Sequence, residues 1–182
     1  MYGLVNIAVQ RLVIENYGEH LWYEIAKKAG VLDIEFSKMK SYPDKITYDM
    51  VESATQVLDT TPEEILEGFG EYFTLYVARE GYGDLLKMGG NTVIEFCQNL
   101  NNLHSRIAMI FPELTPPHFS CVEISEKFSI VRYTSTRAGL APMVVGLLKG
   151  LAKLLDEKIA VTHLKRESVD QDYDDFRITY DR

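Results

Sequence analysis

The chain has 182 residues, with 19 Lys and Arg against 27 Asp and Glu and a formal charge of −8. Hydrophobic residues make up 46% and charged residues 25%, the proportions of a folded soluble domain, which excludes a disordered, collagen-like or disulfide-dense chain. The acidic excess argues against nucleic acid and anionic membrane as partners, since the densest cation clusters are only Lys27-Lys28 and Lys165-Arg166.

In chain order, Leu4, Val5, Ala8, Val9, Leu12 and Val13 form a helical stripe that Gly18 ends. Asn6, Gln10 and Arg11 interrupt it, and no basic region precedes it, so it reads as neither a signal peptide nor a membrane span. A second helix is expected from Glu19 to Ala29, stopped by Gly30, and a third from about Thr47 to Leu58 after a turn at Pro43-Asp44. Thr61-Pro62-Glu63-Glu64 has the form of a capping box with proline in the first turn, and predicts a helix to about Arg79. A short helix over Gly83 to Met88 is broken by Gly89-Gly90. Thr92 and Glu95 then predict a second capping box, opening a helix that runs to about Ile110.

Beyond Pro116-Pro117 the period changes to two, predicting strands over Phe119–Ile124 and Lys127–Arg137. Met143, Leu147, Leu151 and Leu154 mark a helix from Leu140 to Leu155. Two further strands, Ile159–Leu164 and Phe176–Tyr180, flank an acidic turn over Glu167–Asp175. Helices followed by strands in separate runs predict an α+β fold with an antiparallel sheet. Cys97 and Cys121 have no metal-type spacing and read as buried thiols in a reducing compartment, which predicts a cytoplasmic domain.

Catalytic motifs are absent: the sequence contains no GxSxG, P-loop, GxGxxG or HExxH. Of His20, His104, His118 and His163, no two lie three or four apart, so no single helix offers a two-histidine metal site. His104 shares a helix face with Cys97, Leu100, Ile107 and Phe111. An imidazole on such a stripe is either a core histidine bonded to a backbone carbonyl or a neutral axial ligand of the kind haem iron takes. Tyr133, Ser135 and Arg137 would share one face of an extended strand, as a solvated face or as a row of donors suited to carboxylates.

Taken together, these elements resemble the haem nitric oxide/oxygen-binding (H-NOX) family, which includes the haem domain of soluble guanylate cyclase. The similarity lies in MYGLVN, VIENYG, NLHSR, TPPHF, YxSxR and GLAPMVVGLLKG, in that order along essentially the whole chain. It implies a single domain in which a distal helical subdomain, about 1–60, packs on a proximal subdomain, about 61–182, of helices and a four-stranded antiparallel sheet, with haem b between them. It further implies that His104 ligates the iron, that Tyr133, Ser135 and Arg137 hold the propionates, and that Pro117 presses on the macrocycle. Tyr2, Val5, Val9, Phe73, Val77, Leu100, Leu103, Met143 and Leu147 would line the haem or gas pocket.

Oxygen-binding members carry a tyrosine where Met143 stands. Its absence implies a sensor that binds NO and CO and excludes O₂ unless Tyr2, Tyr72 or Tyr76 turns inward. No output domain follows Arg182, so the resemblance implies action on a separate partner, such as a histidine kinase or a cyclic-di-GMP enzyme, or else a piece of a larger guanylate cyclase-like or chemotaxis receptor. A ligand-sensing protein is expected rather than an enzyme. The alternatives are an O₂-binding sensor, a haem peroxidase and an interaction domain without cofactor.

Overall fold

The computed structural model describes residues 1–78, 80, 83–164 and 172–180. Four helices come first: α1 (Gly3–Tyr17), α2 (Glu19–Lys28), α3 (Asp44–Leu58) and α4 (Pro62–Val77). The short α5 (Gly83–Lys87) and the long α6 (Val93–Ala108) follow. The rest comprises β1 (His118–Ile124), β2 (Phe128–Thr134), α7 (Ala141–Leu154), β3 (Ile159–His163) and β4 (Tyr173–Tyr180). The strands form one antiparallel sheet in the order β1-β2-β4-β3, so the fold is α+β as expected. Among the described residues no helix is long and apolar enough to cross a membrane.

Local chemistry accounts for most boundaries. The α1–α2 corner turns at Gly18, whose φ of 91° an L side chain rarely adopts. The α4 capping box forms in full, Thr61 Oγ1 accepting from the Glu64 N–H while Glu64 accepts from the Thr61 N–H. At α6 only half of the expected box forms. Thr92 caps the Glu95 N–H, but the Glu95 carboxylate reaches one residue further back, to the Asn91 N–H. Other elements differ from the sequence reading. α3 begins at Asp44 rather than Thr47, directly after Pro43, and α6 ends at Ala108 rather than Ile110. α4 closes at Val77; its expected end at Arg79 lies outside the described residues. Tyr173, Asp174 and Asp175 belong to β4 rather than to the acidic turn, whose residues 167–171 also lie outside the described set.

Two larger apolar cores accompany a small cluster of Val13, Ile25 and Ala54. One gathers Ala8, Val9, Ala26, Met50, Phe69 and Tyr76 from α1–α4 with Val31 of the loop after α2. The other sets Val93, Phe96, Cys97 and Leu103 of α6 and Val144, Val145, Leu148 and Leu151 of α7 against Phe119, Val131, Tyr133, Phe176 and Ile178 of the sheet. α7 serves both, because its Met143 packs against the first core.

The joint between the cores is the crossing of α4 and α7, and it is built from glycines. A Cβ on Gly146 would overlap the Glu67 carbonyl, one on Gly70 the Met143 carbonyl, and one on Gly150 would stand 2.7 Å from the Glu71 carbonyl. The backbones therefore meet directly, with the Thr74 hydroxyl donating to the Leu147 carbonyl at 3.3 Å and Lys149–Glu67 and Lys153–Glu71 ion pairs along the flank. Gly68 differs, since a Cβ there meets nothing. We expect Gly146→Ala to cost at least about 2 kcal/mol through overpacking, and Gly68→Ala to stabilise by roughly 0.5–1 kcal/mol through helix propensity. Urea unfolding of both variants checks this, and equal effects would contradict the glycine-crossing account.

Candidate functional site

His104 projects from the last full turns of α6 beside Leu100, Leu103 and Ile107, all of which pack into the sheet-side core. Its ring faces that of Phe119 at 6.3 Å. Burial lowers its pKa, with the Pro117 carbonyl acting weakly in the opposite direction, so the imidazole is neutral near pH 7. Its Nδ1 is buried without a hydrogen bond of good geometry. The Pro117 carbonyl is thus the backbone acceptor nearest in effect to this ring, a contact that suits a core histidine and the outer nitrogen of a metal-bound one alike.

Tyr133, Ser135 and Arg137 do not form one strand face. β2 ends at Thr134, because its partners His118 of β1 and Tyr173 of β4 both begin there. Tyr133 is buried in the sheet, its hydroxyl pKa raised by burial and moderated by a hydrogen bond with Ser135. Ser135 and Arg137 lie in the following loop, where Ser135 Oγ accepts the Arg137 N–H at 3.1 Å. The three still converge, through the loop rather than through strand alternation. The Arg137 guanidinium is anchored from two sides, Nε donating to Asp44 Oδ2 at 2.7 Å and Nη1 to the Thr115 carbonyl at 2.8 Å. Asp44 also accepts from the amino terminus of Met1 at 2.5 Å. Burial alone would raise the Asp44 pKa; the two cations outweigh it and hold the carboxyl below its usual range. Sequence reading missed Asp44, since the residues it joins are distant along the chain.

The segment from Phe111 to Pro117 is tied at several points. Tyr2 packs edge-on against Phe111 at 4.8 Å, and its hydroxyl accepts the Glu113 N–H at 3.0 Å. Arg137 takes the Thr115 carbonyl, and the Asn101 side chain takes both backbone groups of Phe119. His118 is exposed beside Asn101, and His163 pairs with Asp174 at 2.9 Å.

In the N-terminal core, Val5, Val9, Phe73, Val77 and Met143 belong to one cluster. Leu147 does not share it; its backbone sits at the α4–α7 crossing. Of the tyrosines weighed as donors, Tyr2 meets the segment after α6, whereas Tyr72 and Tyr76 belong to the same cluster as Met143. Tyr72 also lines, with Val9, a cavity of about 330 Å³ between α1, α3 and α4. Tyr76 stacks on Tyr72 at 5.9 Å with the Arg11 guanidinium over its ring.

These residues suit a flat apolar group carrying a metal and acidic edges. The neutral imidazole supplies an axial nitrogen, the aliphatic and aromatic walls supply an apolar lining, and Tyr133, Ser135 and Arg137 supply donors for carboxylates. The fit carries one condition: Asp44 already occupies Arg137 Nε, so a bound carboxylate either shares or displaces that contact.

A family model described as haem-NO-binding matches residues 2–163. Soluble guanylate cyclase gcy-33 of Caenorhabditis elegans is 29% identical over 92% of this chain, and gcy-37 of the same organism 32% over 86%. The chain spans 18% of the former's length and 23% of the latter's. Among solved structures, an H-NOX protein from S. oneidensis in the Fe(II)NO state superposes with a TM-score of 0.89 over 100% of both chains at 20% identity. The unliganded Fe(II) H-NOX protein from K. algicida superposes with a TM-score of 0.84, at 18% identity, over 100% of this chain and 97% of its own.

The buried imidazole has a consequence for stability. The folded chain resists a proton that the unfolded chain accepts, so the His104 contribution is full above its unperturbed pKa of 6.5 and is lost as pH falls through and below it. In the unliganded polypeptide, the stability lost on going from about pH 8 to about pH 5, where histidines titrate, should be smaller in His104→Leu. Parallel pH curves from urea unfolding would contradict this.

Proposed function

The chain belongs to the haem-NO-binding family, and on that premise we propose that it is an NO-sensing domain whose haem b is held by His104 and anchored by Tyr133, Ser135 and Arg137. The observation that carries this reading is the buried, neutral His104 imidazole next to the Thr115–Pro117 segment, whose Thr115 carbonyl the Arg137 guanidinium also reaches. Attachment is non-covalent, as the sequence has no CxxCH. Pro117 would bear on the cofactor from the segment that Arg137 and Asn101 tie at Thr115 and Phe119.

His104 would hold the iron of a ferrous haem, which would supply the binding position for NO or CO. Selectivity is then a property of the facing wall. Val5, Val9, Phe73, Val77 and Met143 offer no hydrogen bond donor, whereas bound O₂ needs one. The Tyr2 hydroxyl is committed to the Glu113 N–H, and exclusion of O₂ further requires that the Tyr72 and Tyr76 hydroxyls, which belong to the same cluster as Met143, point away from the ligand.

Release of His104 would remove a restraint on the C-terminal end of α6. That end carries the exposed Met109 and Ile110 and is less tied than the start of the helix, where the Val93 N–H donates to Glu157 at 2.5 Å. A partner that binds the two packings unequally reads the difference. The partner is a separate signalling protein of the histidine kinase or cyclic-di-GMP enzyme type. A second reading, in which this is the sensor portion of a guanylate cyclase-like receptor, is favoured by the length of its curated relatives, of which it spans about a fifth.

The ferrous protein should bind NO and CO and form no stable oxy complex in air, as judged by its absorption spectrum. Met143→Tyr should introduce measurable O₂ binding by placing a donor in the apolar wall. A stable oxy spectrum in the unmutated protein would contradict the selectivity argued from these residues.

A further inference from the structure

We infer that Asn101 is a positioning residue that fixes where Pro117 stands relative to His104, an assignment that rests on the haem reading above. Asn101 lies one turn before His104 on α6. Its Oδ1 accepts the Phe119 N–H at 3.0 Å, and its Nδ2 donates to the Phe119 carbonyl at 2.6 Å. The same nitrogen lies 3.2 Å from His118 Nε2.

The arrangement follows from the sheet. β1 is an edge strand, so alternate residues turn their N–H and C=O away from β2 with no strand to meet them. At Phe119 the primary amide of Asn101 takes both groups, as a peptide unit of a further strand would. Few side chains can do this. An aspartate keeps the acceptor but sets a second oxygen against the Phe119 carbonyl, and a leucine makes neither bond.

Position makes the clamp relevant to the site. Phe119 is two residues after Pro117, and its ring stands between the His104 ring at 6.3 Å and the Tyr133 ring at 5.2 Å. Two further ties on this segment, Tyr2 to Glu113 and Arg137 to Thr115, come from outside α6, while from α6 itself the Ile107 carbonyl accepts the Phe111 N–H and the His104 ring meets the Pro117 carbonyl. Polar contacts near the start of α6 face elsewhere, Asn99 reaching the Gly89 carbonyl and the Val93 N–H reaching Glu157. Asn101 thus links the helix that bears His104 to the segment that bears Pro117, and the two move as one body while it holds.

The test uses the full chain loaded with ferrous haem. Resonance Raman spectroscopy reads the out-of-plane haem deformation bands, which report pressure from Pro117, and the iron–histidine band. In Asn101→Leu the deformation bands should lose intensity and the iron–histidine band should shift. Hydrogen exchange at the Phe119 amide should rise at least about tenfold, as expected for losing bonds of this kind. Asn99→Leu, which removes amide bonds to Gly89 and Glu95 on the same helix, should leave the haem bands unchanged. If Asn101→Leu does not fold, Asn101→Asp is read in the same way. Unchanged bands in the Asn101 variant, or equal changes in the Asn99 variant, would overturn the assignment. An unmutated protein without a Soret band would overturn the haem reading itself, and this assignment with it.

Discussion

Helices α4 and α7 cross with no side chain between them at Gly70, Gly146 and Gly150, and both sides of the site depend on that approach. α4 carries Phe69, Phe73 and Tyr76 into the N-terminal core, while α7 turns Met143 to that core and Val144, Val145 and Leu148 to the sheet. A larger residue at the crossing would push the facing wall away from α6 and widen the space between the Met143 cluster and His104. Close backbone contact fixes the spacing of the two walls more rigidly than interleaved side chains could, because a carbonyl has no rotamer to change.

Within that frame, polar contacts tie the loop after β2 to the N-terminal part of the fold. The amino terminus of Met1, Asp44 and Arg137 form a chain of charges that joins the first residue, α3 and the loop after β2. Tyr48 adds a bond from α3 to the Ala138 carbonyl in the same loop. The loop that carries Ser135 and Arg137 is therefore held in position from the N-terminal part of the fold. The His104 ring is buried next to these ties, with the Pro117 carbonyl acting on it. A metal on one ring nitrogen would leave the other for an acceptor of that kind.

Much of this was legible in the sequence. The Thr61 capping box, the amphipathic α7 and the period-two strands need only local patterns, and His104 stood out because an imidazole interrupts an apolar helix face. The strand predicted through Arg137 failed for a nonlocal reason: Tyr133, Ser135 and Arg137 alternate correctly, but both neighbouring strands stop opposite Thr134. Asp44 escaped notice because its partners lie at Met1 and Arg137, and Pro43-Asp44 reads equally well as a turn or a helix start. Asn101 carried a faint signal, an amide one turn from the histidine, but its meaning depends on β1 being an edge strand. Tyr2 could not be placed from sequence, since its hydroxyl is committed to a backbone group more than a hundred residues away.

The most direct test of the central claim is the iron–histidine stretching band of the ferrous protein, recorded with natural-abundance histidine and with ¹⁵N-labelled histidine. The account expects a band that shifts on labelling, disappears in His104→Gly and disappears again when NO is added to the unmutated protein. A label-sensitive band that survives in His104→Gly would show that another histidine holds the iron. That result would contradict the site described above.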